Sequence, residues 1–291
     1  MSTAVFTPKQ IAQALGVSES SVKRWVDSGR LPAAKTAGGH RKVPLPSIAK
    51  FIRETGHQLA EPAVLGMVAT SRGAALESAV DELFSAMVTG NEPACRELVL
   101  SFYQRGERIE AIGDRLIGPA FRCVGDGWAA GEVAVHQERR SCEVMMATLH
   151  ELRRWLPPPA DDAPLAVVAT PSLDFSEAPP RLVELALLAE GWRVEMAGSG
   201  LPLSEIADIV DKRKPRLACV SVTHLESDAD AFVAELNAMA DAAPTIDGRR
   251  CQYAVGGTAI DDDVRSRLRC GLVGSSLQEL IDFQQSLHAD H

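Results

Sequence analysis

The loop "TPSLDFSEAPP", Thr170 to Pro180, joins the apolar run "LAVVA" to the helical run "RLVELALLAEG". An open α/β sheet binds its ligand in a loop of this kind, just past the carboxyl end of a strand. The groups here that could do chemistry are the Asp174 carboxylate and the Ser176 hydroxyl; the loop has no His, no Cys and no glycine-rich phosphate cradle. Two later loops add small polar groups and bare backbone: Ser221-Val222-Thr223, followed by His224, and Gly256-Gly257. Hydroxyls and a carboxylate can hydrogen-bond a ligand, and glycines let backbone approach one closely. An imidazole could also meet a metal, so His224 is a candidate metal ligand beside the plainer reading of an exposed loop histidine.

A different chemistry lies at the N-terminus. Residues 1–56 carry nine Lys/Arg and three Asp/Glu, a charge of +6, whereas the remainder, with 21 basic and 36 acidic residues, carries −15. A basic head on an acidic body points to double-stranded DNA at one end and a different partner at the other. The candidate contacts are Ser20, Ser21, Lys23 and Arg24, followed by Lys35, His40, Arg41 and Lys42.

Both groups need scaffolds. In the head, Thr7-x-x-Gln10 with Pro8 predicts a capping box, and Ile11, Ala14 and Leu15 fall on one helical face. Gly16 stops that helix. Ser18 caps a second one, whose Val22, Trp25 and Val26 face inward and whose Ser20, Ser21, Lys23 and Arg24 form a polar face. Two short helices around a glycine turn make a helix-turn-helix, and the second is suited to the major groove. "LPAAKTAGGHRKVPL" predicts a basic hairpin turning at Gly38-Gly39, a wing for phosphates or the minor groove. A third helix follows Pro46, with Ile48, Phe51 and Ile52 inward.

Residues 57–73 read as a linker with room for a helical piece. From 74 to 156 four amphipathic helices with short loops predict an up-down bundle, with Met145 and Met146 in its core. A proline-rich linker, 157–164, leads to residues 165–291. There five strand-like runs alternate with helical runs at 180–190, 201–213, 226–240, 258–268 and 276–288. This alternation predicts a parallel, flavodoxin-like sheet with right-handed crossovers. The fold class is therefore multidomain: a winged helix-turn-helix, a four-helix bundle and an α/β Rossmann-like domain.

The head, through "IAQALGVSESSVKRWVDSGRLP" and "GGHRKV", resembles the winged helix-turn-helix of MerR-type and excisionase-type regulators. The bundle segment "IGPAFRCVGDGWAAGEVAVHQERRSCEVM" resembles the helical cap over the corrin ring in methionine-synthase-like and CarH- or LitR-like cobalamin modules. That family has a Trp followed ten and eleven positions later by Glu-His. Here Trp128 and Glu138 match, Arg139 stands at the His position, and Ala129 stands where photosensors tend to have another His. The resemblance makes Trp128, Val135, Glu138 and Arg139 cofactor-side residues, with His136 nearby as another candidate metal ligand or a surface residue. In the α/β half, cobalamin-binding domains carry D-x-H-x-x-G, S-x-L or S-x-T, and G-G at the three loops above. Asp174, Ser221, Thr223, Gly256 and Gly257 match; Ser176 replaces the cobalt-ligating His and Pro179 the Gly.

The resemblance implies a cytoplasmic transcriptional regulator, not an enzyme, in which ligand or light changes oligomeric state and thereby DNA affinity. Cobalamin or another tetrapyrrole is the implied cofactor, with no metal ligand at Ser176: base-on cobalamin, a different tetrapyrrole or an empty relic all suit a serine. A head this small implies at least a dimer on repeated half-sites. Two rivals stand beside this reading: a corrinoid-carrier or cobalamin-dependent enzyme subunit, and a ligand-independent regulator that uses the module for protein contact. The six scattered cysteines lack any C-x-x-C and read as buried free thiols; no apolar run predicts a membrane span, and the N-terminus predicts no signal peptide.

Overall fold

The computed structural model describes residues 4–35, 41–68, 75–225, 228–246 and 248–289. It divides into two compact units, Met1–Arg108 with Arg115–Pro157, and Ile109–Asp114 with Pro158–His291.

In the first unit, β1 (Val5–Phe6) leads into α1 (Pro8–Leu15). The capping box forms: Gln10 N–H donates to Thr7 Oγ1 at 3.3 Å, and Thr7 N–H donates to Gln10 Oε1 at 3.0 Å. Each reciprocal bond satisfies a donor that the first helical turn would leave unpaired, and a cap of this kind contributes about 1 kcal/mol. Gly16 ends the helix at φ 64, a conformation that a side chain would resist. In α2 (Glu19–Asp27), capped by Ser18, Val22 is fully buried. Trp25 and Val26 are only half-buried. The Trp25 ring packs 4.8 Å from Phe51 and 5.1 Å from His57, centroid to centroid.

β2 (Ala34–Lys35) pairs antiparallel with β3 (Arg41–Pro44), which also pairs with β1. The hairpin therefore gains a third strand; two residues are too short for an alternation pattern to announce it. The Gly38-Gly39 turn lies outside the described residues. The third helix, α3 (Leu45–Thr55), starts just before the expected point, with Pro46 in its first turn, where a missing N–H costs nothing.

Residues 57–68 are not a free linker. Ala60 and Glu61 N–H both donate to the Ala14 carbonyl, at 2.8 and 3.1 Å, and Gln13 Nε2 donates to Glu61 at 2.8 Å. A 3₁₀ turn at Pro62–Leu65 follows, and Leu65 and Met67 are buried. The end of α1 offers carbonyls with no helical partner, and this segment takes one of them. Arg53 of α3 ties the head to the bundle. Its guanidinium donates to the Tyr103 and Glu107 carbonyls at 2.7 and 3.0 Å and lies 4.0 Å from the Tyr103 ring centroid.

The bundle comprises α4 (Val80–Thr89), α5 (Glu92–Gln104), an interrupted third helix and α8 (Val135–Arg153). The third helix runs as α6 (Ile109–Ile112), a π turn at Gly113–Ile117, and α7 (Gly118–Ala129). Pro119 lacks the N–H that a regular ladder would need, which accounts for the wider turn before it. Met145, Leu149 and Leu152 on the inner face of α8 are fully buried, and Met146 is buried beside them.

The second unit has the flavodoxin-like order. Its strands are β4 (Leu165–Pro171), β5 (Arg193–Leu201), β6 (Leu217–Ser221), β9 (Gln252–Gly256) and β10 (Leu272–Gly274). Among the described residues they form one parallel sheet in the order β10-β9-β6-β4-β5. A two-stranded antiparallel hairpin, β7 (Thr245–Ile246) with β8 (Arg249–Arg250), precedes β9; the sequence pattern does not announce it. Along β6 the side chains alternate. Ala218 and Val220 join a core with α10 (Leu203–Arg213), α11 (Ala229–Asp241) and α12 (Asp262–Arg267), whereas Leu217 and Cys219 join one with α9 (Ala178–Ala189) and α13 (Leu277–Ala289). A strand buried on both faces must read as a continuous apolar run, and "LACVS" does. Residues Ile109–Asp114 group with this unit because Asp114 accepts from Leu277 and Gln278 N–H, at 2.9 and 3.0 Å, in the first turn of α13. A helix start needs such an acceptor, and here it comes from 163 residues earlier in the chain.

Candidate functional site

In the head, Ser20, Lys23 and Arg24 are exposed, and Ser21 is half-buried. Ser21 Oγ lies 3.0 Å from Ser18 Oγ and accepts from Arg24 at 3.4 Å. Lys23 pairs with Glu19 at 2.8 Å, and that bond holds the Glu19 carboxyl below its usual range. Arg41 pairs with Asp27 at 2.5 Å, so the wing is braced against the end of α2. Lys42 sits half-buried on β3, opposite Ala34; Lys35 is in register with Arg41. His40 and the side chain of Lys35 lie outside the described residues. The outer face of α2 thus presents the long Arg24 guanidinium, bonded only to a neighbouring hydroxyl among the described residues, alongside serines and a lysine.

At the carboxyl end of the parallel sheet, Asp174 is buried and heavily bonded. Its Oδ1 accepts from Ser176 N–H at 3.0 Å, and its Oδ2 accepts from Thr223 N–H at 2.5 Å and His224 N–H at 3.1 Å. Thr223 Oγ1 lies 2.8 Å from Asp174 Oδ1 and 2.6 Å from Ser176 Oγ. A carboxylate only accepts, so the threonine proton goes to Asp174 and the serine completes the chain. The loop after β4 is thereby latched to the loop after β6. By sequence, Asp174 is an orienting group without its histidine; in the structure it is engaged as an internal latch. The signal for this is Thr223, two residues past Ser221, but only the fold brings 174 and 223 together.

The glycine pair has an equally local explanation. A Cβ at Gly256 would come within 2.6 Å of the Gly274 carbonyl, and one at Gly257, where φ is +134, within 2.1 Å of the Val222 carbonyl. Ser221 is buried in register with Gly256. The His224 ring is exposed. At the start of α9, Pro179 and Pro180 supply no N–H, so that terminus is a poor phosphate cradle.

In the helical unit, Trp128 closes α7 at 53% exposure and Val135 opens α8 at 61%. Glu138 is half-buried, with its carboxylate 3.3 Å from Arg139 Nε; Arg139 and His136 are exposed. Cys142 Sγ lies 3.8 Å from Glu138, and burial first, then that carboxylate, pushes the thiol up to about 11. Of the cysteines expected to be buried, Cys95, Cys219 and Cys251 are; Cys123, Cys142 and Cys270 are partly exposed, Cys270 at the edge of the core that α10, α11 and α12 share. Among the described residues, no three His, Cys, Asp or Glu side chains gather as a metal site, and no helix is long and apolar enough to cross a membrane.

Comparison with known proteins agrees with this architecture. Residues 5–56 match the family described as a helix-turn-helix domain, and residues 79–153 the family described as a B12 binding domain. No curated protein matches the chain. Among solved structures, the monomethylamine corrinoid protein of Methanosarcina barkeri is 19% identical, with a TM-score of 0.59 over 73% of this chain and 100% of that one. A cobalamin-binding protein from Desulfitobacterium hafniense is 18% identical over 71% of this chain and 97% of that one, with a TM-score of 0.37. The methanol:cobalamin methyltransferase complex of M. barkeri is 19% identical over 76% and 87%, with a TM-score of 0.40. The first likeness establishes the fold; the other two superpose too loosely to add to it. Within that fold the donor set does not suit a cobalt ligated by the protein at position 176: the side chain there is a hydroxyl, and both oxygens of Asp174 are engaged. The chain thus joins a helix-turn-helix domain to a bundle that matches B12 binding domains and to a Rossmann-like parallel sheet.

Proposed function

We propose that the protein is a DNA-binding transcriptional regulator that senses a tetrapyrrole of the cobalamin class without a protein ligand at position 176. One observation carries the ligand half of this reading. Among the described residues, the large apolar side chains left exposed are Val5, Trp128, Val135, Leu173 and Phe175. Four of the five fall on the two segments that the family resemblance assigns to the ring. Each segment, taken by itself, keeps two large apolar side chains outward, as a binding surface does. Trp128, Val135, Glu138 and Arg139 are proposed ring-side contacts on the helical unit. Asp174, Ser176, Ser221, Thr223, Gly256 and Gly257 are the proposed α/β contributions, with His136 and His224 the alternative metal ligands. The DNA half rests on the helix-turn-helix match and on the exposed Ser20, Lys23 and Arg24, with Ser21 among them and Lys35, His40, Arg41 and Lys42 on phosphates. Base-specific contact by a head this small implies a dimer or higher oligomer.

The test has two measurements. Purified protein is titrated with adenosyl-, methyl- and hydroxocobalamin, haem and biliverdin, followed by absorbance; binding to duplex DNA is then followed by anisotropy with and without the ligand that binds. Saturable corrinoid binding that changes DNA affinity or sedimentation supports the reading. Binding to DNA with no response to any tetrapyrrole leaves a ligand-independent regulator. Tight base-off cobalamin with a protein nitrogen on cobalt would bring His136 or His224 forward, and with them the corrinoid-carrier alternative.

A further inference from the structure

Resting on the sensing reading above, we propose that Leu173 and Phe175 form an apolar platform for the face of a corrinoid ring, so that the α/β unit holds its ligand by contact where a histidine ligand is missing. Three features of the loop carry this. The first is exposure: Phe175 is 71% and Leu173 53% exposed, although the segment begins and ends in buried structure. Burial of such side chains is the ordinary outcome of folding, so two kept outward within three residues of one loop need a reason.

The second is backbone conformation. Leu173 adopts φ +63, in the left-handed region that L residues other than Gly, Asn and Asp rarely enter. That conformation is costly for leucine, and an exposed leucine gains no core contact to offset it. Glycine would satisfy the same turn more easily; what leucine adds is an outward apolar surface.

The third is preorganisation. Directly after the platform begins, Asp174 N–H donates to the Pro171 carbonyl at 3.1 Å, the Thr170 hydroxyl donates to the Asp174 carbonyl, and the Asp174 side chain makes the latch already described. Gly200, at φ +70, lies against the Phe175 ring: a Cβ there would come within 2.5 Å of Cε1. Its N–H donates to Thr170 Oγ1 at 2.9 Å. Phe175 therefore rests on bare backbone on one side and is open on the other. An apolar, rigid surface with no metal donor suits a flat macrocycle, because little ordering is left to be done on binding.

Leu173 and Phe175 are mostly exposed in the unliganded fold, which makes a ligand-binding role separable from a structural one. The full chain and its Phe175→Ser, Phe175→Leu and Leu173→Gly variants are titrated with hydroxocobalamin and with cobinamide, which lacks the nucleotide tail. The melting temperature of each ligand-free protein is measured alongside. The expected result is at least a tenfold loss of affinity for both corrinoids in Phe175→Ser and Leu173→Gly, and substantial recovery in Phe175→Leu. The ligand-free melting temperature should be unchanged in Phe175→Ser and raised in Leu173→Gly. Wild-type binding that the variants retain in full overturns the platform and leaves the sensing reading intact. The platform is equally overturned if affinity falls only in step with melting temperature, or if Phe175→Ser abolishes self-association in the absence of ligand. Absence of corrinoid binding by the wild type sinks the sensing reading itself, and the platform with it.

Discussion

The helix-turn-helix head and the mouth of the parallel sheet both end apolar cores in short polar loops, but they turn opposite chemistry outward. In the head, Ser18 and Thr7 are consumed as caps, and what remains outward is polar: Ser20, Lys23 and Arg24. At the sheet mouth the polar groups consume one another, Asp174 with Ser176 and Thr223, and what remains outward is apolar: Leu173 and Phe175. A polyanion with base edges suits the first surface and a flat ring the second. A polar residue in a loop is therefore not by itself free for a ligand: at the sheet mouth the fold's own hydrogen bonds already engage it.

The sharpest way to break the comparison is Asp174→Ala. It removes the acceptor of three backbone N–H groups and one hydroxyl in a buried site, at about 1–3 kcal/mol for each group left unpaired. A loss of roughly 3 kcal/mol or more in the stability of the α/β unit is expected, seen as an early transition in thermal or urea unfolding, with DNA affinity of the head unchanged. Unaltered unfolding would mean that the latch is not what holds the loops.

In the head, Arg24→Ala should weaken specific DNA binding by about 1–3 kcal/mol and relax selectivity at one base pair, as read by competition among operator variants. A uniform loss across sequences would reassign Arg24 to the phosphates. Arg53→Lys keeps the charge but loses the planar group that lies over the Tyr103 ring while its Nη1 serves two carbonyls, and should cost about 1 kcal/mol in melts of the helical unit. The smallest effects separate the two wing cations. Lys42→Ala should lower the salt dependence of DNA binding by about one phosphate contact, and Arg41→Ala by less, since Arg41 is already engaged by Asp27 at 2.5 Å. Equal slopes would show that the Arg41–Asp27 pair opens on DNA.

Much of the scaffold was legible because its causes are local. Thr7, Pro8 and Gln10 form a cap wherever a helix follows them, and Gly16 stops one through its own φ. Periodicity marked the helices of the bundle and the alternation of strand and helix after 165, and right-handed crossovers left few sheet orders for the latter. Short elements were missed for the complementary reason: two residues at Val5–Phe6 or Thr245–Ile246 carry no period, and their pairing energy comes from a strand elsewhere in the chain.

The sequence by itself therefore determined the helix-turn-helix and the helices of the bundle, through residues within a turn or two of one another, and the flavodoxin-like sheet, through strand–helix alternation and the handedness of its crossovers. Tertiary structure alone decided the rest. It spent Asp174 on Thr223 and His224, forty-nine and fifty residues away. It drew Asp114 to the start of α13, packed residues 57–68 back onto Ala14, and turned Leu173 and Phe175 outward. The physical reason is common to the first three, and its converse explains the fourth, where no core group comes near. A carboxylate, an unpaired carbonyl or an apolar side chain is satisfied by whichever group comes within a few ångströms of it, and sequence distance does not report which group that is.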